Sequence, residues 1–277
     1  MGLFTQSFPV TIVDVGWPKL CMIFSMNTGN FPSLYIGTSG LVLPVANKQA
    51  FPPAYRNSSR LTYYASLFTT IEINSTFYTI PMAKTFARWA AEVPDHFRFT
   101  VKLWRGITHV PGLQFDPEDV YRFLHAADTL GDKKGCLLIQ FPPGLQGSAA
   151  PQLEQLLDAV SRHNPSGTWQ LAVEFRHRSW YYPDANAILL RHRAGRVLHD
   201  MPSSAIAELP DHPAISFVYL RFHGPKGDYR GGYNQTFLAA WADRIAGWLS
   251  EQKKVYVYFN NTIGDPLIDL ERLRALL

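Results

Sequence analysis

Short runs with apolar residues on alternate positions recur along the chain, each followed by a stretch with helical spacing. In 70–74, Ile71 and Ile73 share one face of a strand and Thr70, Glu72 and Asn74 the other. In 98–103, Phe99, Val101 and Leu103 oppose Arg98, Thr100 and Lys102. The nearly continuous apolar run at 135–142 reads as a parallel strand buried on both faces. Further strands are predicted at 34–40, 170–176, 195–200, 216–224 and 254–260. Helices are predicted at 60–68, 83–92, 116–130, 150–163, 183–192, 236–250 and 266–277, with Ser59 and Asp116-Pro117 as start signals. Three prolines in 201–213 argue against a full helix there. Eight such alternations predict a single (β/α)8, TIM-barrel-like domain over 34–277. A doubly wound open sheet is the alternative, but Gly37-Thr-Ser-Gly40 lacks the G-x-G-x-x-G spacing that often opens one.

Residues 1–33 do not share this pattern. Cys21-Met-Ile-Phe is too short an apolar run to span a bilayer, and no basic segment precedes a long apolar one as in a signal peptide. The expectation is a weakly ordered extension that the barrel does not need, or an over-long gene start with Met22 or Met26 as the true first residue.

Composition narrows the class. The chain has 277 residues, 47% hydrophobic and 17% charged, enough for one large core. A net charge of +4 and a pI near 9.0 suit an anionic ligand, but no Lys/Arg run is long enough for a nucleic-acid stripe. The two cysteines, Cys21 and Cys136, have no metal-like spacing, so a reducing, cytoplasmic setting is expected.

In a barrel, one parity of each strand faces the helices and the other the axis. With the apolar parity outward, the axis collects Glu72, Asn74, Lys102, Gln140, Glu174, Arg176, Asp200, Arg221, His223 and Asn260. Each lies at the C-terminal end of its strand, where barrel enzymes keep their active sites. Charges converging on one mouth point to a ligand site; the alternative is an ion-pair network that closes the barrel top. Glu72 and Glu174 are the acid/base candidates, with His223 as proton shuttle and Asp200 in support. Lys102, Arg176 and Arg221 resemble an anion clamp, although each arginine can instead neutralise a neighbouring glutamate. His109 is a weaker loop candidate.

Tyr229 and Tyr233, in Gly-Asp-Tyr-Arg-Gly-Gly-Tyr, read as hydroxyl donors on a mobile lid or as packed rings of a surface turn. Asn260 and Asn261 supply amide contacts or cap the next helix. A divalent metal can be assembled from Glu72, Glu174, Asp200 and His223, but no local ligand spacing supports one, and no other cofactor is evident.

Several of these stretches resemble the DUF72 family, the YecE-like proteins of unknown function. The matching pieces are Tyr35-Ile-Gly-Thr-Ser-Gly40, Glu72-Ile-Asn-Ser-Thr-Phe-Tyr78, Phe97-Arg-Phe-Thr-Val-Lys102, Thr108-His109, Gln140-Phe-Pro142, Val173-Glu-Phe-Arg176, Tyr219-Leu-Arg-Phe-His-Gly224 and Tyr258-Phe-Asn-Asn261. The resemblance implies a TIM-barrel-like fold and transfers no catalytic role. Two departures stand out: Leu41-Val-Leu-Pro44 where the family carries a tryptophan and an aromatic loop, and Thr262-Ile-Gly-Asp-Pro266 where an alanine-rich helix start is usual.

The reading is an enzyme of acid/base chemistry, hydrolytic or isomerising, on a small anionic molecule such as a sugar phosphate or sugar acid. The alternatives are metal-dependent processing of nucleic-acid phosphodiesters and a non-catalytic small-molecule-binding module. No membrane partner is expected, and the sequence does not indicate an oligomeric state.

Overall fold

A computed structural model describes residues 32–202 and 215–277. The expectations for 1–33 and for the proline-rich stretch 201–213 therefore lie almost wholly outside the described residues. Eight strands form one parallel sheet: β1 (Leu34–Thr38), β2 (Thr70–Ile73), β3 (Arg98–Lys102), β4 (Lys134–Gln140), β5 (Gln170–Glu174), β6 (Gly195–His199), β7 (Phe217–Phe222) and β8 (Lys254–Phe259). Each pairs with its sequence neighbours, and β8 returns to pair with β1, Leu34 opposite Val255 through Thr38 opposite Phe259. Between β1 and β2 the seam is short: a bridge from Ser39 to Glu72, with the Gly40 N–H donating to the Glu72 carbonyl at 2.8 Å. The sheet thus closes into a (β/α)8, TIM-barrel-like fold.

Gly37 is the residue that lets this seam form. A Cβ there would stand 2.2 Å from the Thr70 carbonyl oxygen and 3.0 Å from the Tyr64 hydroxyl. Gly37→Ala is expected to cost about 1–3 kcal/mol, the usual range for overpacking a filled interior. Urea unfolding checks this; an unchanged midpoint would mean that the seam opens without penalty.

Among the described residues seven helices of eight or more residues cover the sheet: α1 (Arg60–Leu67), α2 (Ala83–Ala91), α3 (Pro117–Ala127), α4 (Ala150–Arg162), α5 (Pro183–Arg191), α6 (Gln235–Ser250) and α7 (Pro266–Arg274). Start signals act as expected, the Ser59 side chain accepting from Thr62 N–H and Asp116 from Glu118 N–H. In α4, Leu153, Leu156, Leu157 and Val160 form the buried stripe.

The lumen is packed, not open. Tyr35, Cys136, Leu138, Ala172, Val197, Phe217, Tyr219, Tyr256 and Tyr258 form one cluster from β1, β4, β5, β6, β7 and β8. The Tyr258 hydroxyl bonds Thr70 on β2 and Thr100 on β3, both at 2.7 Å. Buried phenols need such partners, and these two complete a ring of all eight strands. In β6 the parity corrects the expectation: His199, in step with Val197, faces the lumen, and Asp200 follows the strand. All five residues of β6 are buried, so its sequence offers no polar alternation from which to choose.

Candidate functional site

The C-terminal mouth holds a chain of ionic contacts. On β7, Arg221 donates one terminal nitrogen to Glu72 Oε1 at 2.8 Å and the other to Glu174 Oε2 at 2.6 Å. Glu72 also accepts from the Ser39 hydroxyl and, at 2.5 Å, from Tyr219. The second oxygen of Glu174 takes the Arg176 Nε–H. The four charges cancel.

Burial works to raise both carboxyls, but opposing charges outweigh it. Arg221, with the Ser39 and Tyr219 hydroxyls, holds Glu72 below its ordinary range; Arg176 and Arg221 hold Glu174 well below. Both glutamates are therefore anions at neutral pH, acceptors and not proton donors. Burial opposes the charge of Arg221, and the two glutamates raise its pKa regardless.

The chain continues outward from Arg176, whose terminal nitrogen lies 3.0 Å from His223 Nε2. The other ring nitrogen of His223 lies 3.0 Å from Asp200 Oδ1, which also accepts the His223 N–H at 2.8 Å. This fits a neutral imidazole: Nδ1–H donates to Asp200 and Nε2 accepts from Arg176. Burial, against the opposing pull of Asp200, lowers His223 to about 4. The Tyr233 hydroxyl donates to Asp200 and accepts the Gly224 N–H at 2.6 Å. Tyr233 is thus a buried strut and not a lid donor, which corrects one expectation for this loop. Tyr229, 38% exposed, stands edge-on to His223.

Lys102 differs from every other cation here. It lies at the end of β3, half-buried, and its ammonium makes no hydrogen bond or ion pair among the described residues. Its Nζ stands 4.0 Å from the centre of the Phe77 ring. Burial first, then the charge of Arg221, pushes its ammonium down to about 8, with Glu174 and Glu72 opposing. Phe77 is set in place by the turn after β2: the Thr76 hydroxyl donates to the carbonyls of Ile73 at 2.9 Å and Lys102 at 2.7 Å.

The His109 ring packs edge-on to the same Phe77, centres 4.8 Å apart, and its Nδ1 lies 2.9 Å from the Thr108 hydroxyl. Burial, then the charge of Lys102, lowers His109 to about 4, so it too is neutral at pH 7. Its Nε2 carries no hydrogen bond among the described residues.

Asn74 donates to Ser39 at 2.7 Å and leaves its buried oxygen unpartnered. Gln140 donates to the Phe141 carbonyl at 2.6 Å. Asn260 is buried, and its side chain makes no hydrogen bond among the described residues. Asn261 faces away, donating to Asp269 in α7 at 2.8 Å and to the Gly231 carbonyl at 2.9 Å.

The structure therefore joins Glu72, Glu174, Arg176, Arg221, His223 and Asp200 into one network, with Lys102 and His109 beside it. Of the expected clamp, Arg176 and Arg221 are already paired, and Lys102 has no counter-ion among the described residues. Among the described residues no group of three or more His, Cys, Asp or Glu side chains is arranged to hold a metal. Sequence reasoning missed Ser39, Tyr219 and His199. Tyr219 shares the parity of Arg221, the signal that would have found it. No helix of the described residues is long and apolar enough to cross a membrane.

Comparison with known proteins agrees with this architecture. The family described as "Protein of unknown function DUF72" matches residues 35–277. The UPF0759 protein YunF of Bacillus subtilis (strain 168) is 27% identical over 264 residues, covering 85% of this chain and 91% of that protein. The UPF0759 protein YecE of Escherichia coli (strain K12) is 29% identical over 121 residues, covering 44% of this chain and 43% of its own length. Among solved structures, a DUF72 family protein from Thermotoga maritima MSB8 superposes with a TM-score of 0.69 at 27% identity, covering 88% of this chain and 98% of that one. Another, from Enterococcus faecalis V583, gives a TM-score of 0.71 at 21% identity, covering 88% and 95%. The chain belongs to the DUF72 family.

Proposed function

We propose that this protein is an enzyme of acid/base chemistry, hydrolytic or isomerising, acting on a small polar anionic substrate seated at the barrel mouth. One observation carries the reading: the arginines and glutamates of the mouth neutralise one another, and the Lys102 ammonium is left half-enclosed with no counter-ion among the described residues. An isolated charge out of water is costly unless paired, and an anionic group of a substrate would complete it. The neutral His109 beside it is the proton carrier. Glu72, Glu174, Arg176 and Arg221 form the polar floor that excludes water and orients the substrate. Asp200 and Tyr233 hold His223 in one tautomer against Arg176.

The test is a melting curve with inorganic phosphate, a sugar phosphate, a sugar acid and the corresponding neutral sugars. The anions should raise the melting temperature by binding the folded state, the neutral sugars should not, and Lys102→Met should abolish the response. Proton NMR of the same sugar acids and sugar phosphates then reads hydrolysis, or deuterium exchange next to a carbonyl. An anion response that survives in Lys102→Met would move the site elsewhere. Binding without turnover across that panel would leave a binding module.

A further inference from the structure

We propose that Lys102 is a covalent catalyst: its Nζ forms an imine with the carbonyl carbon of a 2-oxo acid bound at the barrel mouth. The inference rests on the reading above, that an anionic substrate sits at Lys102, and it names the class of that substrate.

Three features of the site carry it. First, Nζ has no hydrogen bond or ion pair among the described residues and lies 4.0 Å from the centre of the Phe77 ring, whereas Arg176 and Arg221 are tied to carboxylates. A lysine meant only as a structural ion would have a partner. Second, its backbone is held at the end of β3 by the Thr76 hydroxyl on the Lys102 carbonyl, so the amine is aimed from a rigid element. Third, His109 packs against the same Phe77 and offers a free Nε2, and Asn74 leaves a buried oxygen free in the same mouth. Burial and the nearby arginines also bring the amine within reach of neutrality, about 8, the usual way a lysine is made nucleophilic.

The chemistry balances without an oxidant or reductant. Nζ gives up a proton to His109, and its lone pair closes on the carbonyl carbon as the π pair moves onto oxygen. A proton then shifts from that nitrogen to the oxygen, which gives a neutral carbinolamine whose nitrogen regains its lone pair and whose hydroxyl can donate to the Asn74 oxygen. The C–O bond then breaks, water leaves with the help of the His109 proton, and the nitrogen lone pair forms the C=N bond. From ammonium and ketone the products are iminium and water, with no net change in protons. The iminium keeps the one unpaired positive charge of the mouth, so the anion that balances it must lie beside that nitrogen. A carboxylate on the carbon next to the carbonyl does so; a phosphate at the far end of a sugar does not.

The experiment treats the full-length protein at pH 7 with pyruvate or glyoxylate and sodium cyanoborohydride, then maps modified lysines by peptide mass spectrometry. The expected result with pyruvate is one N-carboxyethyl lysine at Lys102, formed roughly a hundredfold faster than with free lysine in the same solution, in proportion to free amine, and no comparable adduct at the exposed Lys84 or Lys226. Lactate, which has the charge but no carbonyl, should slow the labelling. Lys102→Arg should remain folded by circular dichroism and show no adduct at residue 102. Comparable labelling of Lys84, Lys226 and Lys102, or none at Lys102, would overturn the imine. If phosphate still raises the melting temperature through Lys102 in that case, the anion site stands and only the covalent role falls. If phosphate also has no effect, both fall.

Discussion

Arg221→Met is expected to lower folding stability by about 3–5 kcal/mol at neutral pH, the range for orphaning buried charges. Arg221 is 2% exposed and bridges two fully buried carboxylates, Glu72 and Glu174. Methionine fills part of its volume and leaves Glu72 with only hydroxyl donors. Burial is the largest influence on both carboxyls and acts to raise them, so without Arg221 the anions are strained and tend to protonate.

The sign with pH follows. In the native protein the depressed glutamates stabilise the fold above their unfolded pKa, and that stability is lost as acid protonates them. In the variant a raised carboxyl stabilises only while protonated, so the deficit against the native protein should shrink from pH 7 toward pH 5. Adding Glu72→Gln should recover part of the loss. Urea unfolding at both pH values measures this. A deficit under about 1 kcal/mol at pH 7, typical of a surface pair, would show that the network does not support the fold.

Lys102→Met is expected to do the reverse: the variant should be more stable than the native protein at pH 7 by roughly 2–3 kcal/mol, and most of the gap should be gone by pH 10. The free-lysine value of 10.5 falls to about 8 in the fold, and each unit is worth about 1.4 kcal/mol before allowance for partial exposure. Below pH 8 both folded and unfolded chains carry the proton, and the full penalty of enclosing the charge is present. Between about 8 and 10.5 the unfolded chain binds more proton than the native one, so native stability rises with pH relative to the variant. A gap that stays constant from pH 7 to 10 would mean that Lys102 titrates as a solvated lysine, and the case for it as an uncompensated charge would fail. Loss of stability in the fold would be a reasonable cost only if the position serves a ligand, the usual stability–function trade.

The two lysine and arginine expectations diverge because of partners, and partners were the least legible part of the sequence. Period-two alternation in 70–74, 98–103 and 216–224 placed Glu72, Lys102 and Arg221 on one parity, because adjacent side chains of a strand must point to opposite faces. Helix starts at Ser59 and Asp116 were legible for an equally local reason, a side-chain oxygen three or two residues from the N–H it accepts. Even the tyrosines of the lumen, Tyr219 and Tyr258, follow the same alternation.

Which charges meet was decided elsewhere. Arg221 reaches Glu72, 149 residues away in sequence, because β7 and β2 face one another across a closed lumen. Arg176 turns back to Glu174 on its own strand end, while the Lys102 ammonium lies over an aromatic ring and has no carboxylate partner among the described residues. His199 took the lumen position expected of Asp200 because β6 is buried on both faces and carries no polar alternation to read. Local spacing determined the faces of the strands; the stagger of eight strands around a barrel, a property of their pairing and closure, decided which ions are neutralised and which one has no counter-ion among the described residues.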